Sequence, residues 1–458
     1  MRHEIFCFRD RAALEKKIAA LELDLPLADD VSILFSPVTI AGKTLPNRFV
    51  VHPMEGADAD PPGRPSELTF RRYLRFASGG AAVIWFEAAA VMPSGRGNPR
   101  QLVASKETAE GFNRLVEAAR RAAEEKFGPG HPSFFVLQLT HSGRFARPEG
   151  RPAPLLVQRN PLLDSRLGLP ADYPLASDGD LASIRDAFIA AAKIAREAGF
   201  DAVDIKACHG YLVSELLAAF ARESSCYGGP SLENRAQFLL ETIAAIRDVV
   251  PGMTVVTRLN LFDGLPYPYG FGVDRNDPRG PDLSEPIELI GKLESGGLPL
   301  LSISSGIPAL NPHFGRPYDR PMAGQDVPDE HPLVGVARLI ELAAKIQRRF
   351  PALPVVGTGY SWLRQFFPHA AAAAVERRKA TLIGLGRGAL AYPAWVNDLA
   401  ERGLLDSRRV CTTCSRCSEM LRAGHRVGCA VRDPDLYAAE YKKAKAHARM
   451  ARRAAGKG

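Results

Sequence analysis

The sequence predicts an α/β protein built as a closed (β/α)8 barrel, with an N-terminal leader, a Cys-rich extension and a basic tail. Three observations carry this. Apolar runs of strand length alternate with helix-length amphipathic stretches from about residue 49 to residue 402. The strands number eight, the count that closes a parallel barrel. No G-x-G-x-x-G follows the first strand, as an open doubly wound sheet with a dinucleotide site would have.

The elements follow in order. Residues 49–54 read as a strand that Pro53 stops, with a helix from about Ser66 and a strand at 81–86. A helix from about Thr108 leads to a strand at 134–139, and a Pro-rich connection (148–174) to a helix at 181–198. The alternating run Ala202-Val-Asp-Ile205 is the fourth strand. A helix at 232–249, opened by Ser231 as its cap, precedes the strand at 254–259. Helix 285–295, strand 300–304, helix 333–350, strand 354–357, strand 381–384 and a last helix near 390–402 complete the alternation. The expected domains are a leader (1–30), the barrel (31–405), the cysteine extension (406–435) and a helical or disordered tail (436–458).

Composition is ordinary for a soluble protein of 458 residues, with 46 % hydrophobic and 24 % charged residues. No apolar run approaches the ~20 residues of a membrane span, and the charged start has no signal-peptide core. The expectation is a cytoplasmic protein that makes no membrane contact. The formal charge of +8 is concentrated in the tail, where seven cations from Lys442 to Lys457 stand without an acid. The body is therefore close to neutral, which disfavours nucleic acid as the partner.

Barrel function lies at the C-terminal strand ends. Collected there are Pro53-Met54, Ala88, Gln138, the trio Lys206, His209 and Tyr211, then Arg258, Gly357-Thr-Gly359 and Gly384-Leu-Gly-Arg387. Paired glycine turns after the last two strands, followed by Arg387, are suited to a phosphate held by backbone N–H groups and a guanidinium. Arg258 closes an apolar strand and so calls for an anion. His52 reads as a packing residue. Ammonium, imidazole and phenol at one strand end suit a site that handles oxygen charge and protons.

These residues resemble the old yellow enzyme family of flavin-dependent ene-reductases over about residues 32–430. The motifs are Leu45-Pro-Asn-Arg48, Pro53-Met54, Gln138-Leu-Thr-His-Ser-Gly-Arg144, Gly199-Phe-Asp-Ala-Val-Asp204, His209-Gly-Tyr-Leu212, Tyr227-Gly-Gly229, Ser231-Leu-Glu-Asn-Arg235, Arg258 and Gly384-Leu-Gly-Arg387. The resemblance implies FMN, with Pro53, Met54, Ala88 and Gln138 along the ring. It places Arg258 at the N1/C2 carbonyl edge and Gly357, Gly359, Gly386 and Arg387 at the phosphate. It implies NAD(P)H as reductant and hydride transfer to the activated C=C of an α,β-unsaturated carbonyl compound. Lys206 and His209 would hold the carbonyl oxygen and Tyr211 would supply the proton. Lys206 departs from the family, which commonly has histidine there.

Cys411, Cys414, Cys417 and Cys429 form C-x2-C-x2-C-x11-C, a spacing suited to an iron–sulfur cluster or a tetrathiolate zinc, with reduced structural cysteines that hold no metal as the third reading. Some larger relatives, the 2,4-dienoyl-CoA reductase and trimethylamine dehydrogenase branch, carry a [4Fe–4S] cluster at this place and a further flavin/NAD(P)H domain. They commonly have one residue more between the second and third cysteines. With a cluster, an electron-transfer protein would be a partner. The readings left open are an oxidative amine dehydrogenase on the same scaffold and a non-flavin phosphate-binding barrel with zinc. The small-molecule substrate's identity and the oligomeric state, a homo-oligomer included, are open too.

Overall fold

The structure, a computed structural model, describes residues 2–454. Eight parallel strands close on themselves: Phe49–Val51, Val83–Ala90, Phe134–Thr140, Ala202–Ala207, Thr254–Asn260, Leu301–Ser304, Val355–Gly357 and Leu382–Leu385. Closure is made by the eighth strand against the first, with Ile383 opposite Phe49 and Leu385 opposite Val51. The expected (β/α)8 barrel is therefore the architecture observed.

The strands are short apolar runs because both faces are covered, and a parallel sheet of this kind has no polar face. Inside the barrel, Val50, Val83, Trp85, Val136, Ala202, Val256, Leu300, Val356 and Leu382 form one cluster. Ile40 and Leu45 join it from a small antiparallel hairpin, Val38–Ile40 with Lys43–Leu45, which plugs the bottom of the barrel. Its strands are only three residues long, too short for periodicity to show. Outside, helices start where the sequence offers caps. The Ser66 and Ser177 hydroxyls accept from the backbone N–H groups of Thr69 and Asp180, and that of Ser231 accepts from Asn234 N.

The Pro-rich connection after the third strand holds one unforeseen helix, Pro161–Leu167, capped by Asn160. The expected last helix, near 390–402, is broken into Arg387–Ala391 and Trp395–Arg402 with Pro393 between them.

Residues expected as a leader pack on the barrel. Leu14 and Ile18 of helix Arg11–Ala20 are buried, and Phe6 lies edge-on to Trp362 with centroids 5.4 Å apart. Asp319, on the connection after the sixth strand, ties three distant segments together. Its carboxylate accepts from Phe6 N (3.1 Å) and pairs with Arg364, and its own N–H donates to Thr413 Oγ1 (3.2 Å).

The extension after the barrel packs helix Arg416–Arg422 against helix Pro434–Ala454, burying Met420, Val427, Tyr437 and Ala444 in a separate small core. Asp433 anchors the second helix to the barrel through Arg71 and Arg75. Lys442, Lys443, Lys445 and Arg449 on this helix are exposed; of the tail expected at 436–458, residues 455–458 lie outside the described residues. Among the described residues no helix is long and apolar enough to cross a membrane.

Candidate active site

The fourth strand organises the mouth of the barrel. Strand register sets Gln138 opposite Asp204, Lys206 opposite Arg258, and Arg258 opposite Ser302. Side chains two apart on a strand share a face, so Asp204 and Lys206 point the same way. Asp204 is fully buried and accepts three hydrogen bonds, from Trp85 Nε1 (2.8 Å), Gln138 Nε2 (2.6 Å) and Arg258 N (2.7 Å). Burial still pushes its carboxyl up to about 6, the three donors opposing. Because the Gln138 amide donates to Asp204, its carbonyl oxygen and one N–H remain for another partner. Asp204 was expected only as part of a motif; its role in orienting Gln138 requires the contact across strands.

Beyond the strand, His209 takes a left-handed backbone (φ 69°) and Gly210 (φ 73°) continues the turn. The His209 Nε2 lies 2.9 Å from Ser304 Oγ. Burial first, then the cations Arg258 and Lys206, hold this imidazole well below its usual pKa, so it is neutral. Burial, with Glu55 adding to it, raises the Tyr211 phenol well above the usual value. The Lys206 ammonium sits 3.6 Å from the centre of the Tyr211 ring and 3.5 Å from Glu55 Oε1. The Tyr211 hydroxyl donates to the same Glu55 oxygen at 3.4 Å. Strand end and turn thus bring all three expected polar side chains together, and they bring a fourth, Glu55, that sequence reasoning missed. Nothing in the pattern around Pro53-Met54 marks the next residue.

Several buried polar atoms at the mouth have no protein partner: both ring nitrogens of His52, Arg258 Nε, Ser302 Oγ, Ser305 Oγ, Arg316 Nη1 and Arg387 Nη1. Buried polar groups in folded proteins are almost always satisfied, so this set marks where a polar ligand belongs. Pro53 and Met54 are half-buried just past the first strand, and Ala88 is buried at the register shift of the second strand. Gly386 lets Met54 approach, since a Cβ there would lie 3.0 Å from its Sδ. Gly359 has φ 98° and a Cβ would meet Leu339 at 2.7 Å, so only glycine fits this turn after Gly357. Arg387 donates through Nη2 to Pro317 O (2.8 Å), leaving its other arm free. Arg316, also missed in the sequence, joins it: burial and then Arg387 lower the Arg316 pKa to about 9. Two crowded guanidiniums with unpartnered arms beside glycine turns form a site for a dianionic group. The polar ring edge and this cradle fit FMN.

Below the first turn lies a further buried charge group. Arg72 pairs with Asp58 and Glu87, and Glu87 also accepts from Gly56 N at 2.7 Å. It fixes the loop that carries Met54 and Glu55.

The four clustered cysteines are unbridged and line one small cavity together with Arg387. Backbone N–H groups point at two of the sulfurs, Thr413 N to Cys411 Sγ and Arg432 N to Cys429 Sγ, each at 3.3 Å. Thr413 (φ 48°) and Ser415 (φ 60°) take left-handed backbones that wrap the loop around the cavity. Among the described residues no three such ligands converge on a point as a single metal ion requires. A tetrathiolate zinc would bring all four sulfurs to about 2.3 Å from one ion.

A profile of the NADH:flavin oxidoreductase / NADH oxidase family matches residues 33–268. The NADPH dehydrogenase of Bacillus pumilus (strain SAFR-032) is 32 % identical over 275 residues, 60 % of this chain and 73 % of that protein. That of Bacillus subtilis (strain 168) is 30 % identical over the same length and with the same coverage. Among solved structures, a 2-naphthoyl-CoA reductase complex superposes with a TM-score of 0.69 at 20 % identity, covering 90 % of this chain. This chain spans only 58 % of that reductase's length. Morphinone reductase in complex with tetrahydroNAD superposes with a TM-score of 0.59 at 22 % identity, covering 82 % of this chain and 92 % of its own. The chain belongs to the NADH:flavin oxidoreductase / NADH oxidase family, the old yellow enzymes, and is an FMN-dependent NAD(P)H oxidoreductase.

Proposed function

We propose that the protein is an ene-reductase that saturates the activated C=C of an α,β-unsaturated carbonyl compound. The observation that carries the reading is the convergence of neutral His209, protonated Tyr211 and cationic Lys206 above the orphaned polar atoms of the barrel mouth. When bound, FMN supplies the hydride that reaches the β-carbon and is replenished from NAD(P)H.

The chain's own groups do the rest. Pro53, Met54, Ala88 and Gln138 would line the ring, with Arg258 beside the edge where negative charge grows. Gly357, Gly359, Gly386 and Arg387, joined by Arg316, would hold the phosphate. His209 keeps a fixed orientation through Ser304 and, with the Lys206 charge nearby, stabilises the carbonyl oxygen as it becomes an enolate. Tyr211 holds its proton at neutral pH and gives it to the α-carbon. The test is anaerobic: reduced enzyme mixed with 2-cyclohexenone should return oxidised flavin and cyclohexanone. Flavin that stays reduced with a panel of enones would overturn the reading.

Cys411, Cys414, Cys417 and Cys429 are read as the ligands of a [4Fe–4S] cluster, served by an electron-transfer protein. Supporting this are their shared cavity and the backbone N–H groups aimed at two of their sulfurs. Anaerobically purified protein should contain iron and acid-labile sulfide, both lost in Cys414→Ala. Protein free of iron when prepared this way would remove the cluster from the proposal.

A further inference from the structure

Lys206 is the residue at which this site departs from its family, and its environment says what it does. A buried ammonium at a substrate site usually reads as a hook for a substrate carboxylate. Here that role is already filled. The Lys206 side chain is 4 % exposed, and the Glu55 side chain, 11 % exposed, brings Oε1 within 3.5 Å of its Nζ. The same oxygen takes the Tyr211 hydroxyl at 3.4 Å, and the Tyr211 ring covers the ammonium at 3.6 Å. The lysine is thus enclosed by a carboxylate on one side and a π-face on another, and the phenol links the two. Glu55 is held in turn from below, since the backbone N–H of the next residue, Gly56, donates to Glu87 of the buried Arg72 cluster.

We infer that Glu55 is a specificity-determining residue: as the internal counter-ion of Lys206, it makes the site admit neutral carbonyl groups and reject free carboxylates. The inference rests on the ene-reductase reading for the place where the substrate carbonyl lies. An incoming carboxylate would meet Glu55 across a lysine already neutralised. In a site this dry the two like charges repel strongly, and both anions would have lost hydration. A ketone, aldehyde, ester or thioester oxygen brings no charge and needs only the polarising donors. Lys206 therefore acts through the field it adds near the developing enolate, while Glu55 keeps that field from becoming an anion trap.

The discriminating experiment uses Glu55→Gln, which keeps the shape and an acceptor for the Tyr211 hydroxyl but removes the charge. Two readouts are taken on the FMN-loaded enzyme. In calorimetric titrations of the oxidised protein, benzoate should bind Glu55→Gln at least about tenfold more tightly than wild type, while benzamide affinity changes by less than about threefold. In turnover, the ratio of kcat/KM for methyl cinnamate to that for cinnamate should fall by at least about tenfold, chiefly through the KM for the acid. The double variant Glu55→Gln/Lys206→Met should lose the gain in benzoate binding, because the freed ammonium is its source. Unchanged benzoate affinity in Glu55→Gln, or a gain that survives in the double variant, overturns the assignment. A variant that only loses activity moves ester and acid together and leaves the ratio unaltered, which also counts against it. Failure of wild-type enzyme to turn over either cinnamate derivative, 2-cyclohexenone or any of the enone panel, with the benzoate result intact, would sink the ene-reductase reading and leave Glu55 as the charge filter.

Discussion

Tyr211→Phe separates the chemistry assigned to the phenol from its part in the structure. The substitution removes one oxygen and leaves the ring over Lys206. The hydrogen bond lost is long, 3.4 Å to Glu55, and Glu55 keeps Lys206 as its partner, so no buried charge is stranded. A hydrogen bond to a carboxylate is worth about 1.5–3 kcal/mol at ideal length and, at 3.4 Å, about 1 kcal/mol, so in a chain of this size the melting temperature should fall by no more than about 2 °C. The expected rate effect is far larger. A positioned general acid contributes about 10²- to 10⁴-fold, equivalent to about 3–5 kcal/mol of barrier. Stopped-flow measurement of the two half-reactions tells the cases apart. Flavin reduction by NADPH should stay within about threefold of wild type, while reoxidation by 2-cyclohexenone slows by at least about a hundredfold. Because burial and Glu55 raise the phenol well above its ordinary pKa, the wild-type reoxidation rate should show no loss from Tyr211 ionisation up to pH 9. Equal slowing of both half-reactions, or reoxidation slowed less than about fivefold, would remove Tyr211 from the proton-donor role.

Three further outcomes follow from groups away from the phenol. Arg72→Met should destabilise the fold by about 3–5 kcal/mol in urea, because Asp58 and Glu87 would stay buried without their cation; a loss under about 1 kcal/mol would refute the buried trio as described. Arg387→Met should weaken FMN binding by about 10- to 100-fold in fluorescence titration, the value of a charge-assisted bond to phosphate, and unchanged affinity would move the phosphate elsewhere. Asp204 has its pKa raised by burial to about 6, so the folded chain binds this proton before the unfolded chain does. The stability it lends is complete below its unfolded pKa of about 3.9 and is lost as pH rises through 6. Asp204→Asn should therefore flatten the fall in stability between pH 4 and 6, followed by urea denaturation; identical slopes in both proteins would contradict it.

The barrel was legible because each buried parallel strand is a short apolar run and each helix carries its own start signal, as Ser66, Ser177 and Ser231 show. Elements of three residues, such as the hairpin from Val38 to Leu45, hold too few positions for a period to appear. Helix Pro161–Leu167 was hidden in text rich in proline, where Pro161 is a helix start rather than a breaker. In the site, the polar side chains at the fourth strand end stood out because their own strand is apolar. Glu55 did not, since its meaning comes from Tyr211, 156 positions away. Arg316 lies in a connection without periodicity, and only its closeness to Arg387 gives it significance. Lys206 was visible, but its partner was not, and the partner decides what the lysine can bind.

The Asp319 node bears on how the chain is made. Its carboxylate accepts from the backbone N–H of Phe6 and pairs with the side chain of Arg364, and its own N–H donates to Thr413. During synthesis the first of these residues leaves the ribosome some four hundred positions before the last. Sheet closure waits as well, because the first strand at Phe49–Val51 pairs with the last at Leu382–Leu385. At about 5–20 residues per second, the apolar face around Phe6 and Leu14 stays without its final neighbours for tens of seconds. The face around Phe6 and Leu14 is therefore exposed to chaperones and to aggregation until the segments some hundreds of positions later arrive, and the barrel and the cysteine loop are completed almost together.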